Sequence, residues 1–142
     1  MEIKIKKLKE EAIIPEYAHS GDAGMDLYST ESYKLEPKEM KIFELGIAVE
    51  ISSGYTALVK DKSSLAVDHK VHALAGVIDA GYRGEWKTPL INLGDEEVQI
   101  KKGQNIAQAI VLPIPEVEIR TVDSLSESER GEGRFGSTGK FN

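Results

Sequence analysis

The chain has no cysteine in 142 residues. Disulfide staples and thiolate metal sites are therefore excluded. A zinc-dependent nucleobase deaminase of the usual kind, which needs a cysteine pair, is excluded as well. No apolar run is long enough to span a bilayer. The N-terminal stretch MEIKIKKLKEEA alternates charged and aliphatic residues and lacks the apolar centre of a signal peptide. A cytoplasmic protein is the expectation, and the absence of cysteine fits a reducing compartment. Positive charge is in the minority, with 18 Lys and Arg against 24 Asp and Glu and a formal net charge of -6. Such a surface does not attract nucleic acid or anionic membrane non-specifically. An anionic ligand would need local cations, backbone N–H groups or a metal. No internal repeat is visible. His69 and His72 lack an HExxH context and read as loop or surface residues.

What remains is the composition of one soluble domain, 40% hydrophobic and 30% charged. Ile3, Ile5 and Leu8 alternate with lysines as in a half-buried strand. MDLYS, MKIFEL, IAVEI, YTALV, KTPLINLG, VQIKKGQ, NIAQAIVLPI and VEIRTV are short, rich in β-branched and aromatic residues, and separated by Gly, Pro, Asn and Asp. They predict strands of a sandwich, jelly roll or barrel. ALAGVIDAGYRGE reads as a hairpin. SSLAVDHK predicts one short helix capped by Ser63 or Ser64. Trp86 belongs in a strand core or at a subunit contact. After Val122 the chain turns polar and Gly- and Ser-rich, which predicts a mobile tail over residues 123–142 behind a body of residues 1–122.

Two formal motifs in that tail fail. Gly131-x-Gly133-x-x-Gly136 has no strand-turn-helix context, and Gly139-Lys140 is followed by Phe141 where a P-loop needs Ser or Thr.

Five other segments carry chemistry together: AGMDLYS at 23–29, DKSSLA at 61–66, AGVIDAGYRGE at 75–85, GQNIAQ at 103–108 and RGEGRFGSTG at 130–139. In this order, across almost the whole chain, they resemble the five motifs of the trimeric dUTPase family. The resemblance implies an all-β subunit, a distorted jelly roll or β-sandwich, assembled as a homotrimer. Each active site would draw on all three chains, with the tail of one closing over it. The implied reaction is Mg²⁺-assisted attack of water on the α-phosphate of dUTP, giving dUMP and pyrophosphate. That reaction limits uracil in DNA and supplies dUMP for thymidylate synthesis.

Residue by residue, the resemblance makes Asp79 the base that deprotonates the water, a task a carboxylate can perform within hydrogen-bond reach. Otherwise Asp79 is only a turn former. Tyr82 would pack under the deoxyribose and exclude a 2′-hydroxyl. The backbone of Ala75, Gly76 and Val77 would read the uracil edge, where a mismatched buried polar group costs about 1–3 kcal/mol. Asp26 would hold Mg²⁺ through water, which suits an ion that keeps its waters and bridges substrate phosphates. Lys62, Ser63 and Ser64 would meet the phosphates at a helix start, with Gln108 as a further donor on the phosphate or water side. In the tail, Arg130 would bind the terminal phosphates, Phe135 would stack on uracil, and Gly136, Ser137 and Thr138 would complete the γ-phosphate site.

The family's second motif usually begins Pro-Arg-Ser, whereas this chain has Asp61-Lys62-Ser63. Lysine keeps the charge but loses the planar fork suited to phosphate, and Asp61 is expected to bring a negative charge close to the triphosphate. Gln104 and Asn105 replace a charged pair that follows the glycine of the fourth motif. A dCTP deaminase-like enzyme shares fold and assembly, but it places glutamate after the aromatic residue of the third motif, where this chain has Arg83. A non-catalytic nucleotide sensor or partner-binding trimer is the alternative from another class.

Overall fold

The computed structural model describes residues 1–133. Ten strands and one helix follow in the order β1 (Ile3–Lys7), β2 (Met25–Tyr28), β3 (Tyr33–Leu35), β4 (Met40–Ile51), β5 (Tyr55–Asp61), α1 (Ser63–His69), β6 (Val71–Ala73), β7 (Val77–Asp79), β8 (Glu85–Asn92), β9 (Val98–Ile100) and β10 (Asn105–Pro113). All pairings are antiparallel. One sheet runs β1-β4-β8-β6, a second runs β2-β10-β5-β7, and β3-β9 form a small ribbon. The all-β expectation is met. Among the described residues no helix is long and apolar enough to cross a membrane.

The period-2 pattern explains the layers. In β5, Ala57 and Val59 are buried, and their partners Val111 and Ala109 on β10 face the same interior. In β8, Trp86, Thr88, Leu90 and Asn92 point inward and are at most 1% exposed. The single tryptophan therefore packs within one chain's core.

Three local expectations need correction. MKIFEL and IAVEI are one strand, β4, and the glycine between them is a bulge rather than a break. The register against β8 shifts between Glu44 and Ala48, Gly46 sits at φ +68°, and its N–H donates to Glu85 Oε1 at 3.0 Å. A β-bulge accommodates extra residues without ending the ladder. The segment ALAGVIDAGYRGE is not a hairpin, because β7 pairs with β5 and β8 pairs with β4. Alternation shows which side chains are inward but not to which sheet a strand belongs. VEIRTV joins no strand of the chain among the described residues. Val117 and Ile119 are 71% and 93% exposed, an amphipathic arm lying outside its own fold.

The bulge region is held by charge. Glu44 accepts from Lys9 at 2.6 Å and from Lys87 at 2.9 Å, joining the N-terminal segment to β4 and β8. The bond from Lys9, followed by that from Lys87, lowers the Glu44 carboxyl from 4.5 to about 2. A folded-state value below the unfolded one stabilises above pH 4.5, and that contribution is lost as pH falls towards about 2. Thermal midpoints measured across that window should fall less steeply for Glu44→Gln than for the parent chain. The difference should be small, because exposed ion pairs are screened.

Candidate active site

Strand β5 ends at Asp61, and the chain turns at once into α1. Lys62 occupies the cap position with extended backbone (φ -76°, ψ 118°), and no side chain caps the helix. The serine cap expected from the sequence is thus displaced: Ser63 and Ser64 are the first two helical residues. Helical geometry leaves the first-turn N–H groups without intrahelical partners. Seven residues make a weak dipole, so the turn offers an anion N–H and hydroxyl donors more than a field.

Lys62 Nζ lies 2.8 Å from Asp26 Oδ1 on β2. The other carboxylate oxygen of Asp26 accepts from Asn105 Nδ2 at 3.1 Å. Gln108 stands opposite Asp26 in the ladder, and its Nε2 donates to the Asp61 carbonyl at 2.9 Å. Gly24 leaves the room that Gln108 takes, since a Cβ there would collide with the glutamine side chain. Asp26, Lys62, Gly24 and Gln108 line a cavity of about 420 Å³ together with Ala18, Asp22, Ala23 and Ile110. The structure therefore gathers Asp26, Lys62, Ser63, Ser64 and Gln108 at one corner. Asn105 is an addition. A register shift between Asn105 and Ala107 breaks the alternation of β10, so Asn105 and Gln108, three apart, both turn towards Asp26.

Asp61 does not face that cavity. Its parity is that of Ala57 and Val59, towards the other sheet. Its Oδ1 accepts the Ala73 N–H at 2.6 Å, and its carboxylate meets His72 Nδ1 at 2.9 and 3.0 Å. Burial pushes the carboxyl up, but the Ala73 amide and His72 outweigh it and leave it below its usual value. The expected negative charge beside the triphosphate is thus turned to β6 and bonded there.

A second group sits on the segment after β6. Ala75 and Gly76 both have positive φ, 59° and 105°. For alanine this costs about 1 kcal/mol. Gly76 permits close approach to β5: its carbonyl accepts the Val59 N–H at 2.7 Å, and a Cβ on it would lie 2.7 Å from the Val59 carbonyl. Val77 follows, 69% exposed. Asp79 pairs with Thr56 at the far end of β5 and is exposed. The Tyr82 N–H donates back to the Asp79 carbonyl at 3.0 Å, and the Tyr82 hydroxyl donates to the Glu85 carbonyl at 3.1 Å. Gly84 has no side chain to obstruct that ring. Arg83 Nη1 donates to the carbonyls of Ala80 and Tyr82, so it braces its own turn.

The two groups do not meet within one chain. Asp79 is level with Thr56, and the Asp26–Gln108 row is level with Lys60. That is four residues, about 13 Å, along the strands and three strands, about 14 Å, across the sheet. Of the tail residues, Arg130 is exposed, with its Nε donating to the Gly133 carbonyl at 3.2 Å. Phe135, Gly136, Ser137 and Thr138 lie outside the described residues.

Among the described residues no three His, Asp or Glu side chains converge as a metal cage. Asp26 and Asp22 are the two carboxylates lining this corner, a sparse set that fits an ion held mainly by ligand oxygens and reached through water, the usual arrangement for Mg²⁺.

The dUTPase family model matches residues 10–139. A deoxyuridine 5′-triphosphate nucleotidohydrolase of Clostridioides difficile is 50% identical over 139 residues, covering 96% of this chain and 97% of its own. The dUTPase of Staphylococcus bacteriophage 80alpha, solved with dUPNHPP, superposes with a TM-score of 0.92 at 31% identity, covering 98% of this chain and 99% of its own. A mutant dUTPase from phage phi11 of S. aureus, whose structure describes coordination of a structural Mg(II) ion, gives 0.83 at 26% identity over 89% of this chain and 100% of its own. These matches do not favour the dCTP deaminase-like alternative. With nearly its whole length matched, and the Asp26–Lys62 corner and the Ala75–Tyr82 segment both built from motif residues, the chain belongs to the dUTPase family.

Proposed function

We propose that this protein hydrolyses dUTP to dUMP and pyrophosphate, in a site that copies of the chain build together. The observation that carries the reading is the pairing of two incomplete half-sites, one rich in phosphate donors and the other holding an exposed carboxylate beside an exposed tyrosine. Asp79 takes a proton from water, the water oxygen bonds the α-phosphorus, and the α–β bridging bond breaks with pyrophosphate leaving. Tyr82 lies against the deoxyribose, and the backbone of Ala75, Gly76 and Val77 meets the uracil edge. Lys62, Ser63, Ser64 and Gln108 hold phosphate oxygens. A magnesium ion bound with the nucleotide would neutralise phosphate charge, with Asp26 holding its waters. Lys62 already neutralises Asp26, so the corner is organised before an ion arrives.

In this reading residues 1–122 are the body, and residues 123–142 are an arm that brings Arg130, Phe135, Gly136, Ser137 and Thr138 to a site on another copy of a homotrimer. The exposed apolar edge of Val117 and Ile119 supports such a reach, since apolar side chains left in water favour a partner. The absence of cysteine fits work in the cytoplasm.

Pyrophosphate release with Mg²⁺ should occur from dUTP and be far slower from dCTP, dTTP and UTP. Equal release from UTP would remove Tyr82 as the sugar gate. Release from none, with a folded chain, would reject hydrolysis and favour a nucleotide-binding role.

A further inference from the structure

Asp61 stands in the second motif where the first of the family's usual Pro-Arg-Ser residues would be, and the reaction above gives it no task. Its position in the fold does. Three bonds meet at this residue: its carbonyl accepts from Gln108 at the phosphate corner, and its carboxylate accepts from the Ala73 N–H and meets His72. Ala73 is the last residue of β6, an edge strand, and its amide would otherwise lack a ladder partner.

The chain then crosses from one sheet to the other in three residues. Leu74 N–H is held by the Pro89 carbonyl at 2.9 Å, Ala75 and Gly76 take positive φ, and Gly76 is held by Val59. Asp61 thus fixes one end of this crossover and Val59, two residues earlier on the same strand, fixes the other. The crossover has an unfavourable backbone conformation at Ala75, so its shape depends on both anchors.

We propose that Asp61 is a positioning residue for nucleobase selection: by clamping Ala73 it holds the Leu74–Gly76 crossover in the shape that presents the backbone of Ala75, Gly76 and Val77 to the base. This rests on the reading that this backbone meets uracil. Asp61 touches no reacting atom. It acts through the crossover, and it ties the base-reading segment to the phosphate corner of the same chain.

The test uses the full-length chain with Mg²⁺, measuring pyrophosphate release from dUTP and dCTP alongside thermal midpoints. Asp61→Ala should raise the Michaelis constant for dUTP about tenfold with kcat nearly unchanged, the scale of one lost buried hydrogen bond. The ratio of kcat/KM for dUTP over dCTP should fall by a similar factor, because a loosened backbone no longer places its donors and acceptors. Asp61→Asn keeps an oxygen for the Ala73 N–H and should retain most of that ratio. Asp61→Ser, too short to reach, takes the place of alanine if that variant does not fold. An unchanged dUTP-to-dCTP ratio in Asp61→Ala or Asp61→Ser, even with a lowered thermal midpoint, would reduce Asp61 to a structural clamp and overturn the proposal. So would Asn behaving like Ala. A wild-type chain that turns over no dUTP would fail the reading of the site itself, before any variant is compared.

Discussion

Asp79→Asn should bind dUTP with a nearly unchanged Michaelis constant and turn it over about a thousandfold more slowly, within the range a positioned general base contributes. The substitution is nearly isosteric. The turn below it is held by the main chain, through Tyr82 N–H to the Asp79 carbonyl, and by the Tyr82 hydroxyl on Glu85. Neither bond uses the carboxylate, so the turn and the tyrosine stay in place. What changes is proton affinity: an amide oxygen can orient a water but cannot take its proton. Losses confined to kcat locate the defect in the transition state, whereas a raised Michaelis constant would locate it in binding. Steady-state rates with product quantified over long incubations would resolve the difference. A kcat within tenfold of the parent would remove Asp79 from the chemistry and send the search for a base to the phosphate corner.

Mixing two dead variants should restore activity. Asp79→Asn inactivates one half-site, and Lys62→Ala with Ser63→Ala inactivates the other. In one chain Asp79 is level with Thr56 on the neighbouring strand, about 5 Å across and about 20 Å along the strand from Lys62, too far for one triphosphate to place its α-phosphorus at both. If a site takes Asp79 from one copy and Lys62 and Ser63 from another, random mixing leaves roughly a quarter of sites fully wild-type in a closed ring. The chains would be unfolded together, refolded and assayed against each variant refolded alone. A mixture as inactive as its components would mean that one chain supplies both halves and must rearrange to do so.

Much of this fold is written in the alternation of its apolar residues. Ala57 and Val59, or Trp86, Thr88 and Leu90, announce an inward face two residues at a time. Sheet membership is not written there, which is why the segment through Gly81 and Tyr82 resembles a hairpin yet joins two sheets. Nor is the strand through Gly46, where Glu85 bonds a bulge that looks like a chain break. The site follows the same division. Asp26, Lys62, Asp79 and Tyr82 stand in segments whose pattern is legible. Asn105 is not, because its orientation depends on a bulge that reverses parity between it and Gln108. The direction taken by Asp61 depends on β6, ten residues later, lying across from the end of β5.

Strand β5 has a further consequence, concerning length rather than chemistry. It carries the Asp79 row at Thr56 and leads into Lys62 just after Asp61, so under the proposed reading its seven residues act as a spacer between half-sites that serve two different active sites of one assembly. Apolar exchanges at Ala57 or Val59 would alter packing and leave the spacing intact. Inserting or deleting one residue would move the corner by about 3.3 Å and turn every later side chain to the opposite face. Natural variation in this segment should therefore run through substitutions and spare its length.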